Sequence, residues 1–348
     1  MTVPATGAKV EAPKTGRRRH VARAVRILLS VAILALLVMF ARRVDWAQTW
    51  ASIRHASLPL LAAAAVVNIL SLAVKGVRWW IFLRPAGARS LGLAVRATAA
   101  GAGLNNILVA NGGDAARVVF VARSTGLRSA SVLATLALER MFDAVGYVML
   151  LVGAAVFLPL PHDLERYRVP AEVVLVLMVI GLVMLARSTG GADAAAAATA
   201  EVAVPTSIVG RAGRYLRRFG RSVAVLSTGP RFAGALALSL VAWACQVAVF
   251  ALTARAAGAP MPMAGNVAAL LAVNAGLLVR ATPGNVGVFQ LAYALVATQF
   301  GVHEETAIGV ALLIQTLQIL PTTLLGVALA PEFVFHRKAA AGATPPVA

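Results

Sequence analysis

Cysteine is all but absent from this sequence. The single thiol, Cys245, lies within an apolar run over 232–252, which excludes an intrachain disulfide and a cysteine-built metal site. Charge is scarce as well. Only 13% of the 348 residues are charged and 60% are hydrophobic, whereas a soluble domain carries roughly 25% charged residues. That balance excludes a soluble enzyme and makes lipid the solvent of this chain. Acidic side chains are the rarest charge, 13 against 32 lysines and arginines, for a net +19. On a soluble surface such an excess would mark a nucleic-acid partner. Here the basic residues fall between apolar runs, where they mark cytoplasmic loops and attract the anionic leaflet at about 1 kcal/mol each. No nucleic acid is expected. The acids that read as external, Asp45, Asp163 and Glu165 with Glu304 and Glu305 after His303, form no recognisable metal set, and neither a metal nor another cofactor is expected.

What is present is a series of long apolar segments. A membrane-crossing helix needs about 20 largely apolar residues, and such runs occur at 25–41, 58–83, 131–158, 171–187, 232–254, 264–280, 285–301 and 304–330. The expected fold class is therefore all-α: a polytopic transmembrane helical bundle of about eight spans plus one or two re-entrant segments. Arg17, Arg18, Arg19, Arg23 and Arg26 before the first run give it a superficial likeness to a signal peptide. The charged region is long, no small-residue cleavage site follows Phe40, and further spans come later, so the run reads as an uncleaved first helix.

Lysine and arginine counts set the orientation, because cytoplasmic loops carry the excess. Residues 1–24 read as a disordered basic cytoplasmic N-terminus, 25–330 as the transmembrane domain, and 331–348 as a cytoplasmic tail with His336, Arg337 and Lys338. The loop over 188–230 holds Arg211, Arg214, Arg217, Arg218 and Arg221 and is the firmest cytoplasmic assignment. Within it, 194–198 is polyalanine and reads as linker, while 211–221 fits either an amphipathic helix on the leaflet or a solvated loop. Both termini on the cytoplasmic face of the cell (inner or plasma) membrane is the resulting topology. The segment 91–111 is apolar but rich in Gly, Ala and Asn, and arginines flank it on both sides, so it is expected to re-enter and not to cross.

Charge inside an apolar run costs about 2.5–3.5 kcal/mol on insertion scales, so it points to function. Three places qualify. In 131–158, Glu139 and Asp143 are four apart on one face and Arg140 lies three before Asp143, within pairing distance. This reads either as a structural ion pair between helices or as a polar wall of a lipid-headgroup path. The second place holds Asn105, Asn106, Asn111, Gly112, Gly113, Asp114 and Arg117. Such density of Gly and Asn breaks a membrane helix, and irregular backbone at that depth needs protein or a watery cavity around it. Its amides with the Arg117 fork would suit a phosphate; an interfacial turn capped by Asp114 is the plainer reading. The third holds Arg280, Pro283, Gly284, Asn285, Gly287 and Gln290, and paired broken helices in two halves of a chain mark transporter sites. Lys75, Arg78, Trp79 and Trp80 close the second span and read as interfacial anchors, although Lys75 is deep enough to face an internal cavity.

In order, these motifs resemble the lysylphosphatidylglycerol synthase transmembrane family, also described as flippase-like integral membrane proteins. Asn105 and Asn106 followed by Gly113, Asp114 and Arg117 resemble its Asn-rich Gly-Gly-Asp/Glu-x-x-Arg segment. Glu139-Arg140 with Asp143 resembles its Glu-Arg-x-x-Asp helix, and Pro283-Gly284-Asn285-Val286-Gly287-Val288-Phe289 its Pro-Gly-x-x-Gly-x-x-Glu turn. Pro321 and Gly326 fall where its last helix carries Pro and Gly. Two positions depart: Val109 stands where proline is common, and Gln290 replaces the usual glutamate, removing a candidate charge.

The resemblance implies movement of a lipid between leaflets. Larger members add a soluble domain that attaches lysine to phosphatidylglycerol; here only the tail from Pro331 follows the last span, so aminoacyl transfer is not expected. The expected partners are membrane phospholipids, anionic or aminoacylated, with a membrane-enzyme partner as a further option. On this reading Arg117, Arg140 and Arg280 meet phosphate, and Asp114, Glu139 and Asp143 hold the arginines or meet a cationic headgroup. Two other readings stand beside it: a membrane-embedded enzyme acting on a lipid-linked substrate, and a non-catalytic partner of such an enzyme.

Overall fold

The structure, a computed structural model, describes residues 45–107, 112–158, 229–277 and 285–329 together with Val169 and Val173. The expected spans at 25–41 and 171–187, the loop 188–230 and the two terminal segments lie outside the described residues. Among the described residues every regular element is a helix, as the composition requires. Lipid offers no partner to a backbone N–H or C=O, so each segment must satisfy its own.

A short helix α1, Trp46–Arg54, starts at Asp45, whose carboxylate accepts from the Ala47 and Gln48 amides at 2.9 and 3.2 Å. It lies between the apolar runs at 25–41 and 58–83. Helix α2, Leu58–Ala86, follows and ends at Gly87, where φ of 110° stops the helix. Then come α3, Leu91–Ile107, α4, Gly112–Thr125, and α5, Ser129–Phe157. The second half contains α6, Gly229–Ala256, α7, Met263–Gly276, α8, Val288–Ala297 with a 3₁₀ turn Thr298–Phe300, and α9, Glu304–Leu329. Helices α2, α5, α6 and α9 have 29, 29, 28 and 26 residues and are long and apolar enough to cross a membrane. At about 1.5 Å per residue they exceed the roughly 30 Å hydrocarbon core.

The shorter helices form two hairpins. In the first, α3 and α4 run antiparallel: an added Cβ at Gly101 would lie 3.2 Å from the Gly113 carbonyl, and one at Gly87 would lie 3.3 Å from the Leu127 side chain beyond α4. The chain thus returns to the side it left, the geometry expected of a re-entrant segment. The second hairpin revises the expectation that 264–280 and 285–301 cross separately. Helix α7 has 14 described residues and α8 with its 3₁₀ turn has 13, about 20 Å each and too short to span. They pack antiparallel, with Gly265 against Phe300 and Gly276 against Val288 and Ala292. The break comes at Asn285 and Gly287, both at positive φ (56° and 91°).

Each hairpin sits on its own apolar cluster. The first packs with Trp79, Phe82 and Phe142 of α2 and α5; the second packs with Phe250 and Ile314 of α6 and α9. Two helix pairings dominate the seam between the halves. Helix α2 lies antiparallel along α6, with Ser57 bonded to the Ala256 carbonyl at one end and Arg78 to Ser239 toward the other. Helix α3 lies against α9 through Gly103 and Gly326, where an added Cβ on Gly326 would fall 2.7 Å from the Ala99 carbonyl. Small residues at such a crossing let two backbones approach, which is how membrane helices gain packing energy without water to drive them.

Candidate functional site

Nine residues singled out from the sequence come together at the first hairpin. Asn105 staples its tip: its carboxamide oxygen accepts from the Gly113 and Asp114 amides at 2.9 and 3.3 Å, and its nitrogen donates to Asp114 at 3.1 Å. The Asp114 carboxylate pairs with Arg140. Arg117 pairs with Glu139 and stacks over the Trp79 ring, 4.3 Å from its centroid. Asp143 pairs with Arg78 at 2.7 Å and lies 3.9 Å from Arg140, the three-residue pairing the spacing predicts. Arg78 also lies 3.8 Å from Glu139 and donates to Ser239 at 2.8 Å.

This corrects two expectations. Arg78 and Trp79 are not interfacial anchors: both are fully buried, and Arg78 bridges α2, α5 and α6. The amides of Gly113 and Asp114, within the segment read as suited to a phosphate, are taken by Asn105, and one Nη of the Arg117 fork is taken by Glu139, while its buried Nε has no hydrogen-bond partner among the described residues. Three arginines face three carboxylates, so the cluster balances its own charge. Arg140 alone among the three arginines is open, its side chain 55% exposed against 0% for Arg78 and 4% for Arg117.

The remaining predicted residues lie elsewhere. Asn106 donates to Thr322 at 3.0 Å and Thr323 at 3.2 Å, tying the first hairpin to α9. Gln290 is buried; its oxygen accepts from the Gly287 amide at 2.6 Å and its nitrogen donates to Gln315 at 2.7 Å. It holds the start of α8 to α9 as a neutral group. Arg280, Pro283 and Gly284 lie outside the described residues, as does Asn111.

Beside the cluster is a polar cavity of about 260 Å³. Helix α2 lines it with Asn68, Ser71 and Lys75, α3 with Asn106, α6 with Gln246, α7 with Asn274, and α9 with Gln318. Asn106 is close to the tip of the first hairpin; Asn274, Leu277 and Phe289 flank the tip of the second. Both broken segments therefore converge on one space. Several of its amides are bonded together: Gln246 donates to Ser71 at 3.1 Å, and Gln318 donates to Gln246 at 3.0 Å. Sequence reasoning missed most of this lining, although Asn68, Ser71, Lys75 and Arg78 recur at helical spacing and draw one polar stripe along α2.

Residues 27–326 match the model of the lysylphosphatidylglycerol synthase TM region. The chain belongs to this family. It is accordingly a multi-pass membrane protein, and the family ties it to membrane lipids. A curated relative, glycosyltransferase AglD of Haloferax volcanii, is 32% identical over 126 residues, an alignment covering 36% of this chain and 20% of that protein. The chain thus spans about a fifth of the relative it matches.

Proposed function

We propose that this lysylphosphatidylglycerol synthase TM-region protein is a lipid translocase, moving a phospholipid or a lipid-linked anionic substrate between leaflets of the cell membrane. One observation carries the reading: the described arms of two helical hairpins, one from each half, line a single cavity with several polar groups among helices long enough to cross the bilayer. Broken helices meeting at depth are how transporters place polar groups where a headgroup must pass while its acyl tails stay in lipid. The balanced cluster frames this space, with Asp114, Arg117, Glu139 and Asp143 as its supports and Arg140 as the arginine open to a passing headgroup. The arginine-rich loops support a topology with both termini in the cytoplasm.

The test is lipid movement by the purified protein in liposomes, followed with fluorescent phosphatidylglycerol, its lysylated form and a polyprenyl phosphate. Movement of at least one lipid above protein-free vesicles is expected, with loss of that movement in Arg140→Ala of equal abundance. No movement of any of the three by folded protein would overturn the reading. The name of the relative, a glycosyltransferase, favours a second reading, a membrane-embedded enzyme acting on a lipid-linked substrate. Transfer of a labelled sugar to or from a polyprenyl phosphate by the purified protein, without net lipid movement, would establish that one instead.

A further inference from the structure

The interior charges of the described helices do not all cancel. Arg78, Arg117 and Arg140 are matched by Asp114, Glu139 and Asp143, all in direct pairs. Lys75 is left over. It lines the cavity one turn before Arg78, within electrostatic reach of the same cluster, yet among the described residues its ammonium has no hydrogen-bond or ion-pair partner. A half-buried lysine without a direct partner, whose nearest carboxylates Asp143 and Glu139 are already held by arginine, is costly in the interior, and an arriving anion lowers that cost.

The other lining groups specify more than charge. Asn106 and Asn274 each commit the carboxamide nitrogen to the protein, to Thr322 and to the Leu270 carbonyl, and Gln318 commits its own to Gln246. The oxygens of all three amides accept nothing from the described residues. The cavity therefore offers one cationic donor and a set of neutral acceptors. A bare phosphate satisfies the first and leaves the acceptors idle. A headgroup with a second ammonium would bring a cation to a space whose nearby carboxylates are already held by arginine.

We infer that the Lys75 cavity binds a phosphate ester that carries free hydroxyl groups and no amine, the phosphate on Lys75 and the hydroxyls on Asn106, Asn274 and Gln318. A glycerol or single-sugar phosphate headgroup meets this description, and an aminoacylated one does not. The cavity, at about 260 Å³, falls just below the roughly 300–1,000 Å³ of drug-sized sites, which suits a headgroup and not a whole lipid. The inference rests on the lipid-handling reading for the source of its ligand, and it is tested by binding at equilibrium so that the two can fail separately.

The full chain in phosphatidylcholine nanodiscs is titrated with short-chain phosphatidylglycerol, phosphatidic acid and lysylated phosphatidylglycerol, and bound lipid is read by native mass spectrometry. Phosphatidylglycerol should bind tightest, phosphatidic acid weaker, and the lysylated lipid at least about tenfold weaker, the worth of one charge-assisted contact. Lys75→Gln should lose the preference and Lys75→Arg should restore it. If Lys75→Gln fails to fold, Asn274→Leu and Gln318→Leu take its place and should erase the advantage of phosphatidylglycerol over phosphatidic acid. Equal or tighter binding of the lysylated lipid, or an unchanged preference in these variants, overturns the inference. Competition by soluble glycerol phosphate would show that the headgroup alone is recognised; its absence, with lipid binding intact, would assign the site to the lipid. Binding as described without movement in liposomes sinks the translocase and leaves the site standing, whereas movement in liposomes with no binding preference lost in the Lys75 variant does the reverse.

Discussion

The two hairpins solve the same problem with different chemistry. The first, α3–α4 packed on α5, buries full charges and pairs each of them: Arg117 with Glu139, Asp114 with Arg140. The described helices of the second, α7 and α8, carry no charged residue, with Gln290 bonded to Gln315 and Asn274 to a carbonyl of its own helix. A charge-balanced ion-pair cluster has little net charge left to offer a ligand; a carboxamide with one end committed, as that of Asn274, keeps its other end free. The difference teaches that the most conspicuous charges of a membrane sequence can be its framework, while the groups that meet a ligand are the quieter ones beside them.

That comparison breaks first at Glu139. Glu139→Ala leaves the buried Arg117 without its carboxylate, and removing one partner of a buried pair costs about 3–5 kcal/mol. The expected outcome is a large fall in folded yield and in the thermal midpoint of the detergent-purified protein. Replacing both partners, Arg117→Met with Glu139→Leu, should recover much of that loss, because no charge is then stranded. A stable Glu139→Ala with selectively lost lipid movement would instead make the cluster the site.

Next in size is the seam between the halves. Gly326→Leu forces a side chain into the Ala99 carbonyl, where even a Cβ would approach to 2.7 Å. Overpacking costs about 1–3 kcal/mol, and thermal unfolding should register it whatever lipid is present. Lys75 sharpens the comparison by sign. Lys75→Gln also removes an interior charge, but one without a direct partner, so without anionic lipid it should stabilise the protein by an amount on the order of 1 kcal/mol, read as a raised thermal midpoint. In phosphatidylglycerol micelles the advantage should shrink or reverse, because the wild-type lysine then has its anion.

How much of this was legible in the sequence follows the same division. Span-length apolar runs and interior charges stand out against lipid because each is expensive to place there, so α2, α5, α6, α9 and the cluster of Asp114, Arg117, Glu139, Arg140 and Asp143 were readable. The Gly-rich breaks pointed to the hairpins, although the short α7 and α8 passed for full spans because their composition is as apolar as any. Arg78 and Trp79 were misread because the end of a helix is where anchors belong; only the packing shows that α6 and the first hairpin cover them. The amides Asn68, Gln246, Asn274 and Gln318 cost little singly, scatter over four helices, and gain meaning only when the fold places them around one space.

Asn68 asks which side of the comparison a cavity residue serves. Pro321 has no N–H, so the Leu317 carbonyl one turn earlier loses its helical partner. Asn68 of α2 supplies the missing donor, at 3.0 Å. Asn68→Ala should therefore cost about 1 kcal/mol, the net value of one hydrogen bond. Pro321→Ala restores an N–H within the helix, and in that background the cost of Asn68→Ala should vanish. Thermal midpoints of the two single variants and the double, measured without anionic lipid, close the cycle. Full coupling makes Asn68 a mender of the broken α9, one more part of the framework. An undiminished cost in the Pro321→Ala background would mean that Asn68 acts through Gln246 and the cavity, and would move the boundary between framework and site one helical turn further along α2.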